Sequence, residues 1–217
     1  MAGAVVVGVG PGIGAALAAR FARGGLPVAL VARNVAKLEA TAELVRAAGA
    51  PVVAFGADST DEAALRRALD AAAADLGPPD VVVYNAALIR SDSLGELDLQ
   101  GQLGSWAVNV GGALTTAAHV LPGMAEREKG TFLVTGGMPR PDPRYVSLSL
   151  SKAAVRALAD LLDQQYGPRG VHVATVTVAG TVEPGGPFDP GEIAEEYWRL
   201  HTEPRERWRR EVLYDPR

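Results

Sequence analysis

The stretch VVVGVGPGIGAAL, residues 5–17, places glycines at 8, 12 and 14 between a β-branched apolar run and an alanine-rich one. Absent side chains at such a turn let backbone N–H groups and a helix N-terminus come up to a pyrophosphate. The residues expected at that contact are Gly8, Gly10, Gly12, Ile13 and Gly14; a tight turn without a ligand is the alternative. A dinucleotide site usually carries, about 20 residues further on, an acid for the ribose hydroxyls or an arginine for a 2′-phosphate. Here the second apolar run ends in VARN, with Ala32 at the acid's place and Arg33 and Asn34 after it. A guanidinium can hold a phosphate with paired hydrogen bonds and stack on adenine, so NADPH (NADP+) is expected over NADH. For Arg33 the alternative is a solvated surface charge. Farther along, Tyr145 and Lys152 stand seven positions apart in YVSLSLSK. With Leu148 or Ser149 between them they follow the repeat of one helical face, provided that a helix reaches back to Tyr145.

These residues need a scaffold, and the pattern supplies one. Short apolar runs (AVVVGV, PVALVA, PVVAFG, DVVVYNA, TFLVTGG, HVATVTVAG) alternate with helical stretches ending near Gly24, Ala48 and Leu76, then over 100–125 and 147–166. Continuous apolar strands between helices predict an α/β fold, a doubly wound parallel sheet of the Rossmann type with helices on both faces. Its site would lie at the carboxyl ends of the strands. A single domain over residues 1–217 is expected, with a Pro/Gly-rich loop at 183–191, an amphipathic helix near IAEEYWRLH and a last strand at EVLYD. The charged tail EPRERWRREV is expected to form a surface helix.

Composition narrows the function. The chain is 48% apolar with a net charge of -4, which gives no basic field for a phosphate backbone, so no nucleic-acid partner is expected. The chain lacks cysteine, which excludes disulfides and a thiol nucleophile, and His119, His172 and His201 are scattered, so no metal site is expected. Residues 1–19 carry no charge, but glycines interrupt the apolar run and no basic residue precedes it, which reads as strand, turn and helix start and not as a membrane segment. A cytoplasmic protein is expected.

The spacing G-x-x-x-G-I-G directly after the first strand resembles the short-chain dehydrogenase/reductase family, and the resemblance runs through nearly the whole chain. Asp58, followed by Ser59 in GADSTD, is similar to the family's adenine-contacting aspartate. Asn85, Ala86 and Ala87 match its N-A-G element with the last glycine changed. SWAVNVGG resembles the helix that carries the family's active-site asparagine, here Asn109. SKAAVRAL matches the helix of the lysine that binds the nicotinamide ribose and lowers a tyrosine's pKa, which assigns Lys152. Two of the family's four usual catalytic groups are missing. Leu148 holds the usual tyrosine position four before the lysine, and the serine position falls on Gly137, with Thr135 the nearest hydroxyl before it.

A tyrosine at the longer spacing, Tyr145 to Lys152, resembles the divergent enoyl-thioester reductases of the same family, where the phenol assists a thioester carbonyl while hydride goes to the β-carbon. VTVAGTV resembles the Ala-Gly turn of those reductases and adds Gly180 and Val182 to the cofactor set. Against this stands a loop tyrosine packed beside Pro143 and Arg144. The resemblance implies an NADPH-dependent reductase of an activated C=C or C=O in a small molecule, with Tyr145 as proton relay and Asn109 organising water. A nucleotide-binding sensor or partner without redox turnover, and a non-redox isomerase or dehydratase, are the alternatives. The segment after Gly180 is short, so the helix around Tyr197 and Trp198 or another subunit would have to exclude water. Ser147, Ser149 and Ser151 are expected to be structural. The long helices near 100–125 and 147–166 resemble those that pair relatives into a homodimer or homotetramer.

Overall fold

A computed structural model describes residues 3–217. Seven strands form one parallel sheet: β1 (Ala4–Val7), β2 (Val28–Ala32), β3 (Val52–Gly56), β4 (Val81–Tyr84), β5 (Gly130–Gly137), β6 (Val171–Val178) and β7 (Glu211–Tyr214), in the order β3-β2-β1-β4-β5-β6-β7. The chain winds from β1 outward to β3, then returns to the other side of β1 with β4. That reversal makes the carboxyl ends of β1 and β4 the switch point at which this architecture places ligands.

Alternation along the strands divides the core in two. Val5 and Val7 of β1 and Ala29 and Val31 of β2 join α3 (Glu62–Leu76), α5 (Gly112–Glu126) and α6 (Val146–Tyr166) on one face. Ala4, Val6, Val28 and Leu30 join α1 (Ile13–Arg23), α2 (Glu39–Ala47) and α7 (Pro190–Thr202) on the other. Both faces are covered, so the central strands can be apolar throughout. Asp61 caps α3 by accepting from Ala64 N, and Asp189 caps α7 by accepting from Gly191 N, each supplying one of the acceptors that a helix start lacks.

The expected elements are present, with three differences. The long helix at 100–125 begins as α4 (Leu99–Trp106) and widens into a π turn, Ala107–Gly111, before α5. The tail does not form a surface helix: a 3-10 turn, Arg205–Arg207, leads directly to β7, because Trp208 stacks on His172 with ring centroids 4.8 Å apart and turns the chain back to the sheet. The helix carrying Tyr197 and Trp198 does not roof the cleft. Trp198 packs on Phe21 of α1 at 6.1 Å, under Arg20 at 4.3 Å, and Tyr197 is fully buried below the sheet. Among the described residues no helix is long and apolar enough to cross a membrane, and no cluster of histidine and acids could hold a metal ion.

Candidate active site

The four glycines of the first turn do different work. Gly8 has φ +92°, and a Cβ there would overlap Ala86 of the strand end beside it. At Gly14 a Cβ would come 2.8 Å from Gly8 O, so α1 could not approach β1. Gly10 and Gly12 have no such packing reason: around Gly10 nothing lies within 4 Å, and Gly12 meets only Val182 Cγ1 at 4.0 Å. Gly12 is also the N-cap of α1 and gives no side-chain acceptor to the first turn, which holds no acid. Among the described residues the N–H groups of Gly10 and Gly12 take no backbone acceptor, the arrangement that suits a phosphate. Ile13 packs against the core below, Val182 lies over Gly12, and Gly180 is closed by the Phe188 ring.

At the end of β2, Arg33 is exposed and makes no ion pair among the described residues. Asn34 beside it is occupied, since its side chain caps the turn Val35–Leu38 by accepting from Ala36 N at 3.1 Å. Asp58 is the first residue of an Asx turn: Oδ1 accepts from Thr60 N at 2.9 Å and Thr60 Oγ1 at 2.8 Å. These bonds, with Arg33 nearby, hold its carboxyl below the usual range. Burial pushes the hydroxyl of Tyr84, beside Ser59, up to about 12.

A chain of hydrogen bonds crosses the carboxyl ends of the strands. Asn85 Nδ2 donates to Gly8 O at 2.8 Å, and Asn85 Oδ1 accepts from Thr135 Oγ1 at 2.8 Å. Thr135 Oγ1 in turn accepts from the Tyr197 hydroxyl at 2.8 Å, and Thr135 O accepts from Lys152 Nζ at 2.6 Å. The pairing of Tyr84 with Val134 in the β4–β5 register brings Asn85 level with Thr135. Burial pushes Tyr197 up, so it serves only as a neutral donor. Ala86 lines the Gly8 turn and Ala87 is exposed at the rim.

Lys152 is 5% exposed and forms no ion pair among the described residues; burial alone pulls its amine down from the usual lysine value to about 8. A Cβ on Gly137 would lie 3.7 Å from Lys152 Cε, an ordinary contact, so the strand position of the absent serine does face the lysine. Leu148 is buried one helical turn before Lys152 on α6. Arg156, one turn after it, donates to Gly137 O at 3.0 Å and closes the end of β5.

Tyr145 stands outside the helical repeat. It is the N-cap of α6, with φ -142° and ψ 55°, so the condition that the helix reach back to it is not met. Its ring is half-buried, and its hydroxyl takes no hydrogen bond among the described residues. What fixes it is a parallel bridge to Asp92 in the loop after β4. Asn109 lies in the π turn with its amide taken up by Leu88: Oδ1 accepts from Leu88 N at 2.8 Å and Nδ2 donates to Leu88 O at 3.2 Å. It ties that same loop to the helix, with one N–H and one lone pair of its amide not used by Leu88. The Tyr84 hydroxyl donates to Val108 O in the widened turn, a placement typical of π turns at functional sites. The three serines are structural: Ser147 bonds Asp92, Ser149 bonds Asp142, and Ser151 donates to Ser147 O.

Sequence reading missed Asp92, Arg156 and the Tyr197 hydroxyl. Tyr197 bonds across 62 residues and Asp92 across 55, and no local spacing signals either.

A family model described as short chain dehydrogenase matches residues 2–184. The chain is 29% identical to glycine betaine reductase of Emericella nidulans over 99% of its own length, spanning only 18% of that larger protein. It is 32% identical to 2-(S)-hydroxypropyl-CoM dehydrogenase 3 of Xanthobacter autotrophicus, over 83% of this chain and 71% of that one. An alcohol dehydrogenase from Thermococcus sibiricus, solved with 5-hydroxy-NADP, superposes with a TM-score of 0.88 at 27% identity, covering 98% of this chain and 95% of that one.

Proposed function

The chain belongs to the short-chain dehydrogenase family of oxidoreductases, and from that premise we propose that it is an NADPH-dependent reductase of an activated C=C, such as an enoyl-thioester or enone. What carries the reading is the hydrogen-bond chain from Gly8 through Asn85 and Thr135 to Lys152, which joins an open glycine turn to a buried amine in one crevice. The free N–H groups at Gly10 and Gly12 fit a pyrophosphate, and the exposed, unpaired Arg33 fits a 2′-phosphate better than a ribose diol. A Thermococcus sibiricus relative solved with an NADP derivative supports the same choice.

When bound, the nicotinamide supplies the hydride. Lys152 then holds the nicotinamide ribose and, as a cation, favours the enolate or phenolate oxygen formed nearby. Tyr145 gives its phenol proton to the substrate oxygen, for which its unpaired hydroxyl is suited. Asp58 would take the adenine edge, as the family resemblance implies, and Asn109 shapes the cleft by holding Leu88. With Gly137 and Leu148 at the serine and tyrosine positions, a plain ketone lacks the two groups that polarise it, and a substrate needing only one donor is favoured. Those same two replacements favour the second reading, a nucleotide-binding protein without turnover.

We further assign a homodimer or homotetramer, supported by the exposed stripe of Leu99, Leu103, Trp106 and Leu114 and by Leu150 and Leu161 on α6. The cytoplasm, where NADPH is regenerated, is the location that fits this chemistry. The test is NADPH and NADH oxidation across enoyl-thioesters, enones and ketones. Consumption of NADPH with a saturated product supports the reductase; tight NADPH binding with no consumption by any acceptor supports the second reading.

A further inference from the structure

We propose that Asp92 is the positioning residue for Tyr145, an inference that rests on the reading of Tyr145 as proton donor. Asp92 is 1% exposed, and among the described residues its carboxylate pairs with no lysine or arginine. A carboxylate is costly to bury unless hydrogen bonds replace its water. Here they do, and all lead to one segment. Oδ1 and Oδ2 accept from Ser147 N at 3.2 and 3.0 Å, and Oδ1 accepts from Ser147 Oγ at 2.8 Å. The main chain of the same residue donates from N to Arg144 O at 3.0 Å and accepts at O from Val146 N at 3.0 Å. These bonds fall on both sides of Tyr145, which is bridged to Asp92 between them.

The geometry separates Asp92 from the other helix-capping acids. Asp61, Asp98 and Asp189 cap the helix that follows them directly in the chain. Asp92 reaches the first turn of a 21-residue helix from 55 positions away, and its negative charge meets the positive end of that helix. Because Tyr145 has left the helical repeat, α6 alone does not set the direction of its ring. The bridge and the carboxylate do, and Asn109 anchors the same loop at Leu88.

The experiment compares the full-length protein with Asp92→Asn, which keeps the shape but replaces one acceptor oxygen with an amide that cannot accept from Ser147. Tyr145→Phe identifies the ring resonance of Tyr145 in tyrosine-labelled protein. The expected result is a shifted Tyr145 resonance with Tyr84, Tyr166, Tyr197 and Tyr214 unmoved, and an NADPH affinity within about twofold. The kcat for an enone falls about tenfold or more, whereas in the Tyr145→Phe background Asp92→Asn costs less than about twofold. An unmoved Tyr145 resonance overturns the proposal, as does an equal loss in both backgrounds. If the wild-type protein reduces no acceptor, the reductase reading fails and the resonance alone decides whether Asp92 positions Tyr145. Should Asp92→Asn not fold, Ser147→Ala removes one donor to the carboxylate while leaving it in place. A smaller shift of the same resonance is then expected, and none at all counts against the proposal.

Discussion

The two ends of the crevice are built on different terms. At the proposed phosphate end, contact with a ligand would fall to the backbone: Gly8 and Gly14 are held by packing, while Gly10 and Gly12 stay open. At the proposed reacting end, side chains would do the chemistry, and there the chain has Lys152 and Asn109 but places Gly137 and Leu148 where hydroxyls stand in the rest of the family. A backbone cradle allows little variation, because a Cβ at the wrong glycine meets main chain that cannot move. Side-chain chemistry can be rewired, provided that a new group is fixed by other means; in the proposed site that is the Asp92 bridge to Tyr145.

The largest expected effect breaks the rigid end. Gly8→Ala combines a φ of +92° with overlap at Ala86, and a loss of about 3 kcal/mol of stability is expected in urea unfolding. Arg33→Ala should leave the fold intact and weaken NADPH about tenfold to hundredfold while changing NADH less than about twofold, read by fluorescence titration.

The buried amine of the reacting end gives a pH signature. In the folded chain Lys152 titrates at about 8, below its ordinary 10.5, so between these values the unfolded chain binds more protons and stability rises with pH. The cost of burying the cation is present in full below about pH 8 and is relieved towards pH 10.5. Lys152→Met removes that dependence; the difference in unfolding free energy between wild type and variant should therefore shift in favour of wild type across this range. The smallest effect sharpens the contrast from the other side. Gly137→Ser puts its Cβ at ordinary contact distance from Lys152, so its stability change should stay within about 1 kcal/mol.

How far the sequence could be read follows from how local each signal is. The glycine turn was legible because its glycines, its strand and its helix lie within a few residues of one another. The parallel sheet was legible because strand and helix periods alternate along the chain. The failures are non-local. Whether Tyr145 joined the helix depended on Asp92, 55 residues away, and the position of α7 depended on its docking of Trp198 against α1. The tail carried a helical charge pattern, yet stacking of Trp208 on His172 overrode it. The motif singled out Asn109, but only the structure shows that its amide bonds Leu88, 21 residues away.

The central claim is that Tyr145 replaces the missing tyrosine. The direct measurement compares wild type with Tyr145→Phe for NADPH binding and for the rate of enoyl-thioester reduction in a single turnover. The account predicts unchanged binding and a rate lower by about a hundredfold. A rate equal to that of the wild type would contradict it.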